Sequence, residues 1–355
     1  MITTVIPTYK RPEMLKRAIE SALAQNVEDL KVCVYDNFSK DGTKEMVLEY
    51  CRQDSRVVYV ERPENIGAAK NIEYALRAVD TEYYTLLSDD DFLLPGFYEQ
   101  ALKKFEEYPI AAFVCAKTLA VDLINKRVEY RNKGWGSGLV NPGIDISRKM
   151  YSSHFVTTSV MFRRSVMDAL GPFDPSGSDL MYMTMASAIY PFVVLDQYGA
   201  AVMLHEQAYS MQGDGMVKEQ IVKLYDSYLK NSEVILRSGL PVAEQFGLMM
   251  MYLSFYQNIF DSKRLYHVLG AEPEPLMTDL LALPSLISNR GLVVKAYNAV
   301  PGFLKPMVRF LYKKINSFNR RKERAVSGAW AELPEGAFDL LRHYDPDVSK
   351  LKFKG

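Results

Sequence analysis

Short apolar runs alternate with amphipathic segments through residues 1–100, and this alternation restricts the fold more than any other feature of the sequence. Four runs have the composition and length of buried strands, namely Thr3–Ile6, Leu30–Tyr35, Val57–Glu61 and Tyr83–Leu87. Three stretches between them carry apolar residues at helical spacing, namely Pro12–Gln25, Thr43–Arg52 and Ile66–Val79. Strands that alternate with helices of about 10–15 residues form βαβ units. The sequence therefore predicts an α/β fold, with a mostly parallel sheet flanked by helices.

The pattern changes after residue 110. Further strands are predicted at Ile110–Lys117, Val121–Asn125, Arg127–Arg131, Phe192–Asp196 and Ala200–Leu204, with a turn at Asn125–Lys126. From Gly215 to about residue 325 the spacing is helical, and no second alternating unit follows. We therefore expect an α/β domain over residues 1–225 and a mostly helical C-terminal region over residues 226–355.

Length, charge and cysteine content narrow the class of protein. The 355 residues exceed the roughly 250–300 residues of one hydrophobic core, so a large domain with an appendage is expected. The 43 Lys and Arg residues balance 43 Asp and Glu residues, which argues against nucleic-acid binding, since nucleic-acid-binding proteins are usually basic. Three cysteines without a CxxC pair indicate free thiols in a reducing compartment.

Targeting and membrane signals are weak in this sequence. The N-terminus enters a strand-like run without the basic start of a signal peptide. The longest uncharged apolar stretch, Gln245–Phe260, is too short to span a bilayer. We therefore expect a cytoplasmic chain.

One segment, residues 291–325, is strongly basic. It carries nine Lys or Arg residues and one acidic residue, Glu323. Within it, Pro306–Phe318 has one apolar and one basic helical face. Such a helix either docks on an anionic membrane surface or packs on its own domain with a solvated basic face. Docking would make the protein peripheral on the inner face of the cell membrane.

The strongest chemical signal is the run of three carboxylates at Asp89, Asp90 and Asp91, directly after the strand predicted at Tyr83–Leu87. Adjacent carboxylates repel one another, and a divalent cation would relieve the repulsion. Mg²⁺ and Mn²⁺ typically bind one or two carboxylates together with substrate phosphates. A solvated acidic turn before a helix explains the same residues, and these residues alone favour neither interpretation.

Several motifs occur in a fixed order, namely Val5-Ile-Pro-Thr-Tyr9, Asp36-Asn37, Asn65-Ile-Gly67, Asn71 and Ser88-Asp-Asp-Asp91. This series resembles the family 2 glycosyltransferases over roughly residues 1–210. The resemblance implies the GT-A fold, a Rossmann-like α/β fold that binds nucleotide sugars. It also implies a metal-dependent, inverting enzyme that uses Mn²⁺ or Mg²⁺ and moves a sugar from a nucleotide-diphosphate donor to a hydroxyl group of a glycan or lipid-linked acceptor.

The resemblance assigns donor-binding roles to ten residues. Pro7, Thr8 and Tyr9 would form a platform for the base, Asp36 and Asn37 would read it, Asn65, Gly67 and Lys70 would hold the diphosphate, and Asp89 and Asp90 would lie at the ribose and phosphates. The family more often has Asp-Asp at positions 36–37 and Arg at position 70. Structural roles also fit some of these residues: Pro7 ends a strand, Asn37 forms an Asx turn and Asn65 caps a helix.

The same resemblance assigns the metal ligands and the general base. Asp90 would bind the cation with help from Asp91 and from His205, which follows a predicted strand; Ser88 replaces the first acid of the family's motif. Gly171-Pro-Phe-Asp174 and Ser178-Asp179 resemble the segment whose last acid deprotonates the acceptor hydroxyl, which makes Asp179 the base. An acid at a helix N-terminus and a structural histidine are the alternatives.

Two loop features have functional interpretations, and for the first a structural one fits equally well. Trp135, in the glycine-rich loop Gly134–Gly143, either stacks on an acceptor sugar or covers the core. The segment Met211–Met216 is glycine-rich and would suit a loop that closes over bound nucleotide.

Three other classes of protein are alternatives for this sequence. A nucleotidyltransferase would usually carry a glycine-rich basic loop after its first strand, and Pro7–Pro12 contains no glycine. A dinucleotide-dependent oxidoreductase would need GxGxxG at that position. The third is a catalytically inactive sugar- or membrane-binding module on the same fold, against which the carboxylates at Asp89–Asp91 and Asp179 argue.

Overall fold

The computed structural model of the chain describes residues 1–125, 127–132, 134–173, 178–206, 231–245 and 247–249. Residues 1–206 lie in one compact unit, and the short segments between residues 231 and 249 lie in a second unit. Those short segments are mostly helical. Four features predicted from the sequence lie outside the described residues: the boundary near residue 225, Asp174, Met211–Met216 and the basic segment 291–325.

The first unit consists of strands and helices in alternation. The strands are β1 Ile2–Thr8, β2 Leu30–Asp36, β3 Val57–Glu61, β4 Tyr83–Leu86, β5 Phe92–Leu93, β6 Phe113–Asp122, β7 Arg127–Tyr130, β8 Gly138–Val140, β9 Val160–Arg163 and β10 Phe192–Leu204. The helices are α1 Pro12–Leu23, α2 Thr43–Gln53, α3 Ala68–Arg77, α4 Phe97–Glu107, α5 Ile144–Ser152, α6 Arg164–Leu170 and α7 Ser178–Ile189.

These strands form one sheet with the order β3-β2-β1-β4-β9-β6-β10-β5. Strands β1 to β4 are parallel, β9 is antiparallel to β4 and β6, and β6 and β10 are parallel to each other. β7 pairs with β6 and β8 with β10. The predicted α/β fold with a mostly parallel sheet is therefore confirmed.

Helices cover both faces of the sheet. Successive residues of a strand point to opposite sides, so an apolar strand places side chains on both faces that helices can bury. On β2, Val34 packs in one core cluster with Leu15 and Ile19 of α1. The next residue, Tyr35, lies on the other side, where its ring contacts Tyr74 of α3. Burial on both faces explains why the parallel strands read as nearly continuous apolar runs.

Pro7 lies inside β1 and does not end it, so this detail of the sequence prediction is wrong. Pro7 pairs in register with Tyr35, and the strand continues to Thr8. The backbone of Val5 faces β4, since its carbonyl accepts from the Leu87 amide, and Pro7 two residues later faces the same side. β4 pairs with β1 only as far as Val5, so a proline without an N–H group leaves no partner unsatisfied.

Two long strands replace four predicted short ones. β6 runs without interruption to Asp122, and β10 includes the segment that was predicted to separate Phe192–Asp196 from Ala200–Leu204. The two strands pair with each other from Phe192 and Phe113 to Leu204 and Asp122, with register shifts on either side of Tyr198. Pairing over this length keeps both strands extended. The register shifts at Tyr198 accommodate the turn-like residues between Asp196 and Ala200 without ending β10.

No helix among the described residues has both the length and the apolar composition needed to cross a membrane.

Gly199 allows β10 to pass close to neighbouring side chains. An added Cβ at this position would collide with Ala116 Cβ and would lie 2.9 Å from a ring carbon of Phe97. Gly199→Ala is therefore expected to destabilise the fold by about 1–3 kcal/mol, the usual cost of overpacking, in urea unfolding. Gly42→Ala is the matched control, because its Cβ would meet nothing within 4 Å. Equal unfolding midpoints for the two variants would contradict the close approach.

Candidate functional site

The acidic turn lies at the carboxyl edge of the sheet, directly after β4. Asp89, Asp90 and Asp91 are all buried, with 6%, 9% and 5% of their surfaces exposed. Thr8 Oγ1, at the end of β1, donates a hydrogen bond of 2.8 Å to Asp89 Oδ2. The ends of two neighbouring parallel strands therefore hold the first carboxylate of the turn in place.

Two basic side chains reach this turn from other elements. Arg11 Nη1, just before α1, lies 3.2 Å from Asp89 Oδ1 and 3.0 Å from Asp90 Oδ2. His205 Nε2, directly after β10, lies 3.2 Å from the same Asp90 Oδ2. The structure thus brings Arg11 and His205 together at Asp90 Oδ2, with Asp89 beside the same guanidinium group.

Burial and like charge raise the proton affinity of the turn. Burial, followed by the charge of Asp90, raises the pKa of Asp89 to about 6, although Arg11 and Thr8 oppose the shift. A carboxyl group with a raised pKa ionises more readily when a positive charge arrives beside it. The electrostatics of the turn therefore favour a bound cation.

Asp91 is held differently from its neighbours. Its Oδ1 accepts a hydrogen bond of 3.0 Å from the Met203 amide of β10, and its Oδ2 accepts one of 2.9 Å from Thr158 Oγ1. Burial, and then the charge of Asp90, raises the pKa of Asp91 to about 8. Both carboxylate oxygens attach the turn to neighbouring segments, which is a structural role. The contact of Asp91 with a cation stays a prediction.

The fit of a divalent cation depends on Asp90 and His205. Among the described residues, no three His, Cys, Asp or Glu side chains form a group that could hold a metal ion. Asp90 and His205 offer one oxygen and one nitrogen ligand at a common point, and Mn²⁺ accepts both types. Mg²⁺ and Mn²⁺ usually complete their shells with substrate phosphates and water. The two side chains therefore fit a cation that binds together with a phosphate ligand.

Asp36 ends β2 and is 1% exposed. Its Oδ1 accepts hydrogen bonds from the Ser39 amide at 3.0 Å and from Ser39 Oγ at 2.5 Å. Its Oδ2 accepts one hydrogen bond of 2.7 Å from the Tyr59 hydroxyl of β3. Because a carboxylate oxygen accepts two hydrogen bonds, Oδ2 retains one position for a ligand donor.

The loops beside Asp36 are conformationally constrained. Lys10, Phe38 and Lys40 have φ values of 55°, 68° and 50°, in a region that residues with side chains rarely adopt. The Lys10 amide donates a hydrogen bond of 2.8 Å to Ser39 Oγ, which joins the loop after β1 to the loop after β2. Backbone strain of this kind persists where the surrounding structure fixes it, and it is frequent at ligand sites.

Asn37 and Asn65 connect the loops after β2 and β3. Asn37 Nδ2 donates to Asn65 Oδ1 at 2.8 Å, and Asn37 Oδ1 accepts from the Ile66 amide at 2.9 Å. The structural alternative for Asn65, capping of α3, does not hold, since the N-cap of α3 is Gly67 and has no side-chain cap. Asn65 Oδ1 instead accepts a hydrogen bond of 2.9 Å from the Gly67 amide, and so shapes the loop before the helix.

Three predicted donor-binding residues present open surface at this edge. Tyr9 is 38% exposed. Gly67 has a φ of 84°, which favours glycine, and an added Cβ would meet nothing within 4 Å. Lys70 is exposed in the first turn of α3, without a salt-bridge partner among the described residues. These residues leave room for a ligand beside Asp36 and the acidic turn.

Asp179 is the second residue of α7. Its side chain is 27% exposed, and its Oδ1 accepts a hydrogen bond of 2.8 Å from the Leu180 amide. His154 Nε2 lies 3.8 Å from the same oxygen. Among the described residues, no hydrogen bond or ion pair joins Asp179 to the acidic turn, so the two predicted functional groups are separate clusters.

Trp135 lies in the core. It is 5% exposed, its Nε1 donates a hydrogen bond of 2.8 Å to the Ser153 carbonyl, and its ring packs on Phe155 and Phe192. Of the two interpretations of this residue, the structure supports the covering of the core.

Four side chains at these clusters were not predicted as functional from the sequence, namely Arg11, Tyr59, His154 and Thr158. Arg11 follows the first strand closely, and a cationic residue at the carboxyl edge was a usable signal. The other three are distant in sequence from the groups they contact, and only the fold brings them there.

Comparisons with known proteins agree with these observations. Residues 3–171 match the family described as Glycosyl transferase family 2. Chondroitin synthase of Escherichia coli is 33% identical over 108 residues, which are 30% of this chain and 16% of that protein. The GalNAc(5)-diNAcBac-PP-undecaprenol beta-1,3-glucosyltransferase of Campylobacter jejuni is 32% identical over 107 residues, which are 30% of this chain and 35% of that protein. The chain thus matches about a third or less of the length of these relatives.

A solved structure shows the same fold. The structure of S. aureus TarS 1–349 in complex with UDP-GlcNAc has a TM-score of 0.56 and 17% sequence identity to this chain, and the similarity covers 92% of this chain and 91% of that one. At this identity the similarity concerns the fold, and it confirms the predicted GT-A architecture.

Proposed function

Residues 3–171 belong to glycosyl transferase family 2, and on this basis we propose that the chain is a metal-dependent, inverting glycosyltransferase. Its donor is a nucleoside-diphosphate sugar, and its acceptor is a hydroxyl group of a glycan or lipid-linked saccharide. The observation that supports this most directly is the convergence of Arg11, Asp89, Asp90 and His205 at the carboxyl edge of the sheet. Ligands of open α/β sheets bind at this edge.

The nucleoside binds across the ends of β1 and β2. The exposed ring of Tyr9 offers a surface for the base, flanked by the backbone of Pro7 and Thr8. The remaining acceptor position on Asp36 Oδ2 suits an imide N–H of a pyrimidine. Asn37 shapes this pocket through its two hydrogen bonds to the loop at Asn65 and Ile66.

The diphosphate lies between the acidic turn and the start of α3. Gly67 and the amide groups at the N-terminus of α3 allow close approach of an anion, and Lys70 adds a positive charge. Asp90 and His205 would hold a divalent cation, with Asp89 beside the ribose, and Asp91 anchors the turn. When bound, the cation would supply electrostatic stabilisation of the charge that develops on the departing diphosphate.

Asp179 acts as the general base. It accepts the proton of the acceptor hydroxyl as that oxygen forms a bond to the anomeric carbon. The bond from the anomeric carbon to the diphosphate breaks, and the diphosphate oxygen leaves with the electron pair. Attack from the face opposite the leaving group inverts the anomeric configuration. Asp179 lies in the first turn of α7, and its side chain is partly exposed.

The proposed acceptor is a broader chemical class than the proposed donor. One relative is named as acting on an undecaprenol-linked saccharide, and another is named a chondroitin synthase. Both names describe extension of a glycan, which fits a partly exposed carboxylate at Asp179. Peripheral membrane contact through residues 291–325 would place the site near a lipid-linked acceptor.

Ligand-dependent thermal stability tests the donor and the cation together. Nucleoside diphosphates with Mn²⁺ are expected to raise the melting temperature of the full chain, because a ligand that binds only the folded state stabilises it. At a concentration of about 100 times the dissociation constant, the gain is about 2.7 kcal/mol. Neither Mn²⁺ alone nor the nucleotide with a chelator should give the full shift. Stabilisation by NAD in place of nucleoside diphosphates would contradict the proposal.

A further inference from the structure

Among the described residues, His154 is the ionisable side chain that pairs with Asp179. Its Nε2 lies 3.8 Å from Asp179 Oδ1, and the two side chains are 31% and 27% exposed. This distance is longer than a hydrogen bond. Contacts between catalytic groups are often long before substrate binds and shorten in the complex. The pair is therefore placed for a hydrogen bond from the imidazole to the carboxylate.

The backbone that carries His154 is fixed by two buried side chains. Asn132 Nδ2 donates a hydrogen bond of 2.7 Å to the His154 carbonyl. Trp135 Nε1 donates one of 2.8 Å to the carbonyl of Ser153. Asn132 is itself held at a φ of 69°, an uncommon conformation for a residue with a side chain. Such support on both sides is typical of a residue whose position matters to a neighbour.

The environment keeps His154 neutral near pH 7. Burial lowers the pKa of His154 below its usual value, and the positive charge of Arg131 lowers it further. The carboxylate of Asp179 opposes both effects. Asp179 approaches from α7, and Arg131 follows β7. A neutral imidazole donates a hydrogen bond without adding a positive charge that would make the carboxylate a weaker base.

Taking the proposed role of Asp179 as given, we propose that His154 is a positioning residue for this carboxylate. While neutral, His154 holds Asp179 in one orientation toward the acceptor hydroxyl. When protonated, it becomes a cation beside Asp179 and weakens the carboxylate as a base. The pair thus makes sugar transfer more sensitive to acid than the carboxylate alone would.

The test compares the pH dependence of transfer by the full chain and by His154→Gln. Glutamine keeps an N–H donor near the position of Nε2 and does not titrate. We expect kcat at about pH 8 within a few-fold of the original, and a loss between about pH 8 and pH 5.5 that is about tenfold smaller than in the original, since a neighbouring cation lowers a carboxyl pKa by 1–3. His154→Ala should lose rate at both pH values, and His154→Gln should recover it at about pH 8.

Asp145→Asn is the matched control. Asp145 is an exposed carboxylate of α5 that pairs with Arg148 at 2.5 Å, so its replacement keeps the imidazole, and its ratio of rates at the two pH values should equal that of the original chain. An unchanged ratio in His154→Gln would overturn the positioning role. If Asp179→Asn is inactive while His154→Gln keeps the original ratio, only this inference fails. Full activity of Asp179→Asn would instead remove the assigned base.

Discussion

Asp179→Asn is expected to reduce sugar transfer by about 10²–10⁴-fold, the usual contribution of a positioned general base. The amide cannot accept the acceptor proton, and it preserves the size of the side chain and its place in the first turn of α7. Donor binding should be nearly unchanged, because the described structure gives no contact between Asp179 and the acidic turn or the loops that bind the donor. Single-turnover transfer and titration of the nucleotide with Mn²⁺ measure the two properties separately.

Asp168→Asn is the control for this substitution. Asp168 is an exposed carboxylate of α6, 3.9 Å from Arg164, and its replacement should leave transfer within about twofold. Normal turnover by Asp179→Asn would assign the proton transfer to another group. Loss of nucleotide affinity in the same variant would show that Asp179 lies in the donor site.

Asp90→Asn should lower turnover by at least about 10²-fold, because the charge stabilisation supplied by a bound cation amounts to several kcal/mol. Asp90 Oδ2 is the atom that both Arg11 and His205 approach, so its charge lies at the centre of the cluster. The Mn²⁺-dependent rise in melting temperature with a nucleoside diphosphate should disappear. The variant should still fold, since the charge of Asp90 disfavours the ionised forms of Asp89 and Asp91 and its loss relieves that repulsion.

Asp80→Asn serves as the control for Asp90→Asn. Asp80 precedes the same strand at its opposite end, and its exposed carboxylate pairs with Lys31 at 3.0 Å. This variant should keep the full Mn²⁺-dependent shift and turnover. A full Mn²⁺-dependent rise in melting temperature in Asp90→Asn would exclude Asp90 as the cation ligand and would make Asp89 the candidate.

The edge of the sheet at which the candidate site lies was predictable from the sequence, because parallel strands end at a common edge. The ends of β1, β2 and β4 were located in sequence by apolar runs followed by polar residues at Tyr9, Asn37 and Asp89. Parallel strands end at a common edge, so the sequence alone predicts that these residues lie near one another. Strand β10 was harder to predict, because the residues around Tyr198, where its register shifts, have the sequence pattern of a turn.

Local sequence patterns did not predict the contacts that distinguish Asp91 from Asp90, although the family resemblance paired Asp90 with His205. Asp90 and Asp91 are adjacent and chemically identical, yet Asp90 faces Arg11 and His205, and both oxygens of Asp91 are bonded to Thr158 and Met203. Thr158 is 67 residues away along the chain and Met203 is 112 residues away. No local pattern records a partner at such a distance.

The sequence by itself determined the α/β class, the order of the motifs and the edge of the sheet at which they lie, because periodicity and strand ends are local properties. The tertiary structure alone decided that Asp91 anchors the turn and that His154 lies beside Asp179. Those contacts join residues far apart in the chain, and their energies depend on burial that exists only after the sheet has formed. The ordered motifs therefore predicted a candidate site, and packing decided which groups each of its carboxylates contacts.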